Sequence, residues 1–146
     1  MDSGGYNNAK TLNMSTLTER AQFAPELVLS VVAPAVDYYQ KAFGATVVRL
    51  FNNDDGSIHV AEMSIGGSLF HLHEEMPSSP QRRSPGALGG TSVLLGIFVD
   101  DPDQMMASAL LAGGNQVSAM QDYFYGFRQG IVADPFGHQW MIQKKI

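Results

Sequence analysis

Apolar and polar positions alternate in two stretches of the chain that each end in a turn and start again. The first spans residues 57–73 around Gly66-Gly67, and the second spans residues 126–142 around Asp134-Pro135-Phe136-Gly137. Alternation with a period of two is typical of strands with one buried face. Proline fixes φ and glycine tolerates positive φ, so both junctions favour turns. The pattern predicts two β-hairpins.

A strand, a helix and another strand are predicted ahead of the first hairpin. Residues 23–32 form an apolar-rich run, and residues 45–51 are rich in β-branched side chains. Between them Pro34 suits the first helical turn, Val36, Tyr39 and Phe43 recur at helical spacing, and Gly44 follows as a stop signal. The unit is therefore βαβββ.

The same order of elements returns after a connection rich in proline, serine and glycine, residues 75–90. A strand is predicted at residues 91–99, a helix from Pro102 to Gly113, and three strands at residues 115–122, 125–133 and 139–144. Gly113 lies 69 positions after Gly44 and Gly137 lies 70 after Gly67, a constant offset typical of an internal repeat. We expect a flexible tail at residues 1–22 and one domain at residues 23–146, with modules at about 23–75 and 91–146.

Composition narrows the class of protein. The 146 residues carry a formal net charge of −5 with only 9 lysines and arginines, which argues against a nucleic-acid partner. There is no cysteine, so neither a disulfide framework nor a thiolate metal site is available. No apolar run approaches the roughly 20 residues that span a bilayer, and the start lacks the order of a signal peptide. We expect a cytoplasmic protein that makes no contact with membranes.

Several short motifs together resemble a known family. These motifs are the helix end at residues 38–45, the segment at residues 59–63, the restart at residues 88–93, and residues 123–128 leading into residues 134–140. Their order and spacing are similar to those of the glyoxalase/bleomycin-resistance/extradiol-dioxygenase superfamily, and within it to those of the PhnB-like branch. This vicinal oxygen chelate fold implies an α+β architecture. Its two βαβββ modules form a cup-shaped, mostly antiparallel eight-stranded sheet around a small-molecule site, often in a homodimer.

The resemblance also implies where a metal would bind. Metal-dependent members offer one ligand from the first and one from the last strand of each module, positions that fall near Ala24, His71, Leu94 and Met141. Only His71 suits a divalent ion, which needs about four to six donors. We therefore expect no metal at the family's usual place and no other cofactor. A divalent ion at a shifted site built on His71 stays open.

Counting outward from Gly66-Gly67 places Glu62 opposite His71 and Val60 opposite His73, on the face predicted to line the cup. Glu62 with His71 is either an acid–base or metal-binding pair, or a cross-strand ion pair without catalytic use. The same count in the second hairpin predicts Arg128, Gly130, Val132 and Met141 on the inner face with Gln139 and Gln143. We expect the ligand-binding set to be Arg128, Tyr123, Tyr125, His73, Met141 and Leu94.

Two functions remain open at this point. The first is a protein that binds a small, partly aromatic or anionic molecule without catalysis, which the absent metal ligands favour. The second is an enzyme, either a lyase or isomerase with a shifted metal at Glu62 and His71, a metal-free acid–base catalyst using the same pair, or a dioxygenase-like member. The tyrosines are equally compatible with core or dimer contacts.

Overall fold

The computed structural model describes residues 21–146, so the predicted tail lies almost wholly outside the described residues. The chain forms eight strands and three helices in this range. The strands are β1 (Glu26–Leu29), β2 (Thr46–Asn52), β3 (Ile58–Ile65), β4 (Ser68–Glu74), β5 (Leu94–Phe98), β6 (Asn115–Tyr123), β7 (Phe127–Ala133) and β8 (Gln139–Lys145). The helices are α1 (Ala33–Phe43), the short α2 (Pro85–Leu88) and α3 (Pro102–Leu111). None of the helices in residues 21–146 is long and apolar enough to cross a membrane.

The strands form two four-stranded sheets with the same topology. The first has the order β1-β4-β3-β2 and the second β5-β8-β7-β6. In each sheet the first strand of the module pairs in parallel with the last, and the other pairings are antiparallel. The predicted α+β class with two βαβββ modules is confirmed. Within one chain, however, the eight strands form two separate sheets and not one continuous sheet.

The first hairpin has the register that the sequence predicts. Ile65 pairs with Ser68, Glu62 with His71 and Val60 with His73. Gly66 and Gly67 both have positive φ, 55° and 87°, as a two-residue hairpin turn with right-handed strand twist requires. The alternate positions Ala61, Met63, Phe70 and Leu72 are buried.

The predicted register of the second hairpin is wrong by one residue. Ala133 pairs with Gln139 and Val132 with Trp140, which leaves five residues in the loop. Asp134 closes this loop because its side chain accepts hydrogen bonds from the backbone N–H groups of Phe136 and His138. A one-residue shift moves a strand's side chains to the opposite face. Arg128, Gly130 and Val132 therefore share a face with Trp140 and not with Met141.

One core joins the two sheets through the helices. Tyr39 of α1 packs on Phe70 of the first sheet and on Trp140 of the second, with ring centres 5.6 and 5.3 Å away, and Phe43 packs on Trp140 at 4.8 Å. Phe70 and Trp140 are themselves 5.7 Å apart. The buried hydrophobic side chains of both sheets belong to this cluster. Each sheet thus has a helix face, turned toward the shared core, and an open face, turned away from it.

Candidate functional site

A row of ionisable side chains crosses the open face of the first sheet. Arg49 of β2 pairs in register with Glu62 of β3, Glu62 pairs with His71 of β4, and His71 pairs with Glu26 of β1. Leu27 and Leu29 are buried on the helix face, so Glu26 points to the open face with the others. We call Glu26, His71, Glu62 and Arg49 the charged row.

The side chains of the charged row make only loose contacts with one another. Glu62 Oε1 lies 3.8 Å from His71 Nε2, and Glu62 Oε2 lies 3.6 Å from Arg49 Nε. At the far end, Arg82 of the connection approaches Glu26 at 4.0 Å. All three separations exceed ordinary hydrogen-bond length. Because the Arg49 side chain is 63% exposed, its remaining N–H donors are available to a ligand.

Glu26 and Arg49 are members of the row that the sequence did not reveal. The family positions implied Ala24 on the first strand, but the strand register places Glu26 beside His71, two residues further on. Arg49 reaches Glu62 because β2 carries an extra residue, with a register shift between Val47 and Arg49. Turn residues predict the hairpin register, whereas neither the parallel pairing nor the bulge has a comparable signal in the sequence.

The described residues offer no cluster of metal ligands. No three His, Cys, Asp or Glu side chains within residues 21–146 are placed to hold a metal ion together. In the second module, Met141 pairs with Gly96 and Leu94 with Gln139, so the position beside Met141 has no side chain at all. The residues at the family's implied positions therefore do not fit a divalent ion. That the protein lacks a bound metal stays a prediction.

The open face of the second sheet carries amides and aromatic rings. Gln129 Nε2 donates to Gln143 Oε1 at 2.7 Å, and Tyr125 Oη donates to Gln129 Oε1 at 2.6 Å. The rings of Tyr123 and Tyr125 stack with centres 5.2 Å apart. A Cβ on Gly96 would lie 2.8 Å from Gln143 Nε2, so the glycine makes room for this amide. The structure thus places Tyr123, Tyr125, Leu94 and Met141 on the second module, away from Glu62 and His71.

Arg128 lies on the helix face, against the prediction that it lines the cup. Its guanidinium donates two hydrogen bonds to Asp103 of α3, at 2.7 and 2.9 Å, and one to Asp122 of β6 at 2.9 Å. These bonds lower the pKa of Asp103 and raise that of Arg128. Two carboxylates already satisfy this arginine, which clamps α3 and β6 to β7. We call this set the Arg128 clamp.

His73 lies at the end of the first sheet, where its ring contacts His59. The two ring centres are 4.7 Å apart. The structure therefore brings together Glu62 and His71 of the predicted residues and places His73 two residues further along β4, on the same face. It separates all three from Arg128 and the tyrosines. Since the helix faces of both sheets meet in one core, the charged row and the tyrosines lie on faces that both point away from it.

The fold agrees with the comparison with known proteins. A family model described as the Glyoxalase/Bleomycin resistance protein/Dioxygenase superfamily matches residues 25–142, and the chain belongs to this superfamily. The match covers both modules and therefore both sheets.

The chain is similar to known proteins both in sequence and in fold. The chain is 37% identical over 125 residues, 84% of its length, to an uncharacterised protein of Mycobacterium bovis, of which the match covers 82%. Among solved structures it resembles TioX from Micromonospora sp. ML1, with a TM-score of 0.67 and 22% identity over 86% of this chain and 99% of that one. A gene product from Arabidopsis thaliana has the same TM-score, with 26% identity over 86% of this chain and 98% of that one.

Proposed function

We propose that this protein binds a small molecule that is partly aromatic and carries an anionic group, without a metal at the superfamily's usual place. The observation that carries the proposal is the charged row, in which Arg49 is exposed and only loosely paired with Glu62. An arginine in this state gains more from a ligand carboxylate or phosphate than one already held by two carboxylates. Arg49 replaces Arg128 as the cation of the site.

A homodimer belongs to the same proposal. The charged row and the stacked tyrosines lie on open faces that point away from one core, so a single chain does not enclose a ligand between them. A second copy can bring its second sheet over the first sheet of its partner. Apolar side chains exposed on these sheets support such contact: Val48, Leu50 and Phe51 of β2, and Leu94 and Phe98 of β5.

The dimer arrangement would enclose each ligand between Arg49 of one copy and the tyrosines of the other. Ring stacking and a charge-assisted hydrogen bond would then act on opposite ends of the ligand. The motifs of the helix ends and hairpins support membership of the PhnB-like branch. The acidic, cysteine-free composition supports a location in the cytoplasm.

An enzyme is the second candidate, and one observation favours it. His71 Nε2 faces the Glu62 carboxylate at 3.8 Å, with Arg49 on the other carboxylate oxygen. An imidazole and a carboxylate side by side are able to exchange a proton with a bound substrate, as a lyase or isomerase requires. Turnover of a bound ligand that His71→Ala abolishes while binding persists would establish this function.

Benzoate tests the binding proposal, with benzylamine as the cationic counterpart of similar shape. We expect saturation-transfer NMR to detect benzoate on the full chain, with much weaker binding of benzylamine. Arg49→Ala should weaken benzoate binding at least fivefold, because the charge-assisted hydrogen bond is lost. Arg128→Ala is the matched control and should leave the affinity unchanged. Loss of binding in Arg128→Ala alone would return the site to the face predicted from the sequence, and equal binding of both probes would contradict the role of Arg49.

A further inference from the structure

Two histidines meet at the end of the β3–β4 hairpin, outside the charged row. His59 is the second residue of β3, and His73 lies one residue before the end of β4. Their ring centres are 4.7 Å apart and their planes are inclined by 68°. Two imidazoles bound to one ion at about 2.0 Å and at right angles around it have ring centres roughly 4.5 Å apart. The observed separation matches that arrangement.

The hydrogen bonds of both rings fix the same nitrogen as the proton donor. His59 Nδ1 lies 2.8 Å from the Glu74 carboxylate, and His73 Nδ1 lies 2.7 Å from the Glu74 backbone carbonyl. Carboxylates and carbonyls only accept hydrogen bonds, so Nδ1 donates in each ring. A neutral imidazole that is protonated on Nδ1 presents a lone pair on Nε2. Within residues 21–146 neither Nε2 makes a hydrogen bond.

Glu74 is itself held in place by the turn between β2 and β3. Asn53 Nδ2 donates to Glu74 Oε1 at 2.9 Å and to Ser57 Oγ at 2.9 Å. Glu74 Oε1 therefore accepts hydrogen bonds from both Asn53 and His59. A carboxylate or carbonyl on Nδ1 is the usual support of a metal-binding histidine, because it orients the ring and makes Nε2 more basic.

We propose that His59 and His73 bind one transition-metal ion through their Nε2 atoms, with Glu74 orienting both rings. Imidazole nitrogens suit Zn²⁺, Ni²⁺ and Cu²⁺, and a right angle between two nitrogen ligands fits the square or octahedral geometry of Ni²⁺ and Cu²⁺ best. No third protein ligand joins them among the described residues, so water or a ligand group occupies the other positions. The site is separate from the charged row and does not rest on the proposed function.

Calorimetric titration of the full chain with Ni²⁺ tests the site. We expect one ion per chain, and a loss of affinity of at least tenfold in both His59→Ala and His73→Ala. Glu74→Ala should weaken binding about tenfold without removing a ligand, since partners of metal-bound histidines contribute on that order. His71→Ala is the matched control and should bind Ni²⁺ like the parent chain. Unchanged affinity in His59→Ala would overturn the proposal, as would loss in His71→Ala with retention in His59→Ala.

The unmodified protein supplies a second measurement that does not depend on the variants folding. Ni²⁺ is paramagnetic, so it should broaden the imidazole proton signals of His59 and His73 at substoichiometric amounts. The signals of His71 and His138 should broaden only at higher amounts of Ni²⁺, because neither ring binds the ion. Broadening that begins at His71, or at all four histidines equally, would show that the ion does not bind between His59 and His73.

Discussion

At the scale of single residues, Asp134 is the polar centre of the core. Its Oδ2 accepts hydrogen bonds from Tyr39 Oη at 2.5 Å and from Trp140 Nε1 at 3.0 Å, while its Oδ1 accepts the two backbone N–H groups of the β7–β8 loop. All three side chains are almost fully buried. One carboxylate thereby ties α1 of the first module to the hairpin of the second.

Asp134→Ala should lower the free energy of unfolding by about 3 kcal/mol or more, because it leaves two buried side-chain donors without acceptors. Tyr39→Phe removes one donor and keeps the carboxylate satisfied by the others, so we expect a loss of about 1 kcal/mol. Urea unfolding of both variants measures the difference. Equal losses in the two variants would contradict the central role of the carboxylate.

Tyr39 should also give the protein a sensitivity to alkaline pH. Burial, and then the charge of Asp134, raise its pKa well above the ordinary value. Above pH of about 10 the unfolded chain loses this proton while the folded chain keeps it, so stability falls with pH, by up to about 1.4 kcal/mol per pH unit. Below pH of about 10, Tyr39 makes its full contribution to the free energy of unfolding.

Urea unfolding between pH 9 and pH 11 measures this decline. Tyr39→Phe should show a shallower decline than the parent chain. Some slope should remain, because burial and Asp134 also raise the pKa of Tyr38, to about 12. Identical slopes in the two proteins would mean that Tyr39 ionises as readily in the folded chain as in the unfolded one.

At the scale of elements, the two hairpins show what the sequence predicts and where it fails. Gly66-Gly67 specifies a two-residue turn, so the pairing of Glu62 with His71 follows by counting. The second hairpin has a five-residue loop, closed by side-chain hydrogen bonds of Asp134. Nothing in Asp134-Pro135-Phe136-Gly137-His138 specifies that length in advance, so the side predicted for Arg128 was wrong. The positions of α1 and α3 were predicted within two residues because proline and glycine mark their ends, whereas the short α2 lies in the stretch predicted as a connection.

The Arg128 clamp belongs to this scale because it connects α3, β6 and β7. Arg128→Ala should lower the thermal midpoint slightly, since Asp103 and Asp122 both lose their partner. The difference from the parent chain should shrink in 1 M NaCl, where exposed charges are screened. It should also shrink in acid. The pKa of Asp103 is lowered in the folded chain. Its contribution to stability is therefore complete above the pKa that it has in the unfolded chain, and is lost as the pH falls through the pKa that it has in the folded chain.

Arg49→Ala is the control for the clamp, because Arg49 is mostly exposed and its pairing with Glu62 is loose. Its thermal midpoint should equal that of the parent chain at both salt concentrations. A larger loss of stability in Arg49→Ala than in Arg128→Ala would reverse the roles assigned to the two arginines.

At the scale of the whole molecule, the two open faces are the sheet surfaces that the shared core does not cover. The repeat predicts two equivalent modules, but equivalent positions have diverged: His71 in the first module corresponds to Met141 in the second, and Glu26 corresponds to Gly96. One sheet therefore offers charges and the other offers amides and tyrosines. The sequence predicts Glu62, His71 and the tyrosines but neither Glu26 nor Arg49. Only the shared core shows that the two open faces point away from each other in one chain.

Mixing two variants tests whether each ligand lies between the charged row of one copy and the tyrosines of another. Arg49→Ala and Tyr125→Ala should each lose benzoate binding. Refolded together in equal amounts, they should recover about a quarter of the parent's binding sites, because half of the dimers contain both variants and each of these has one intact site. If each variant loses binding and the mixture recovers none, the site lies within a single chain and not between two copies.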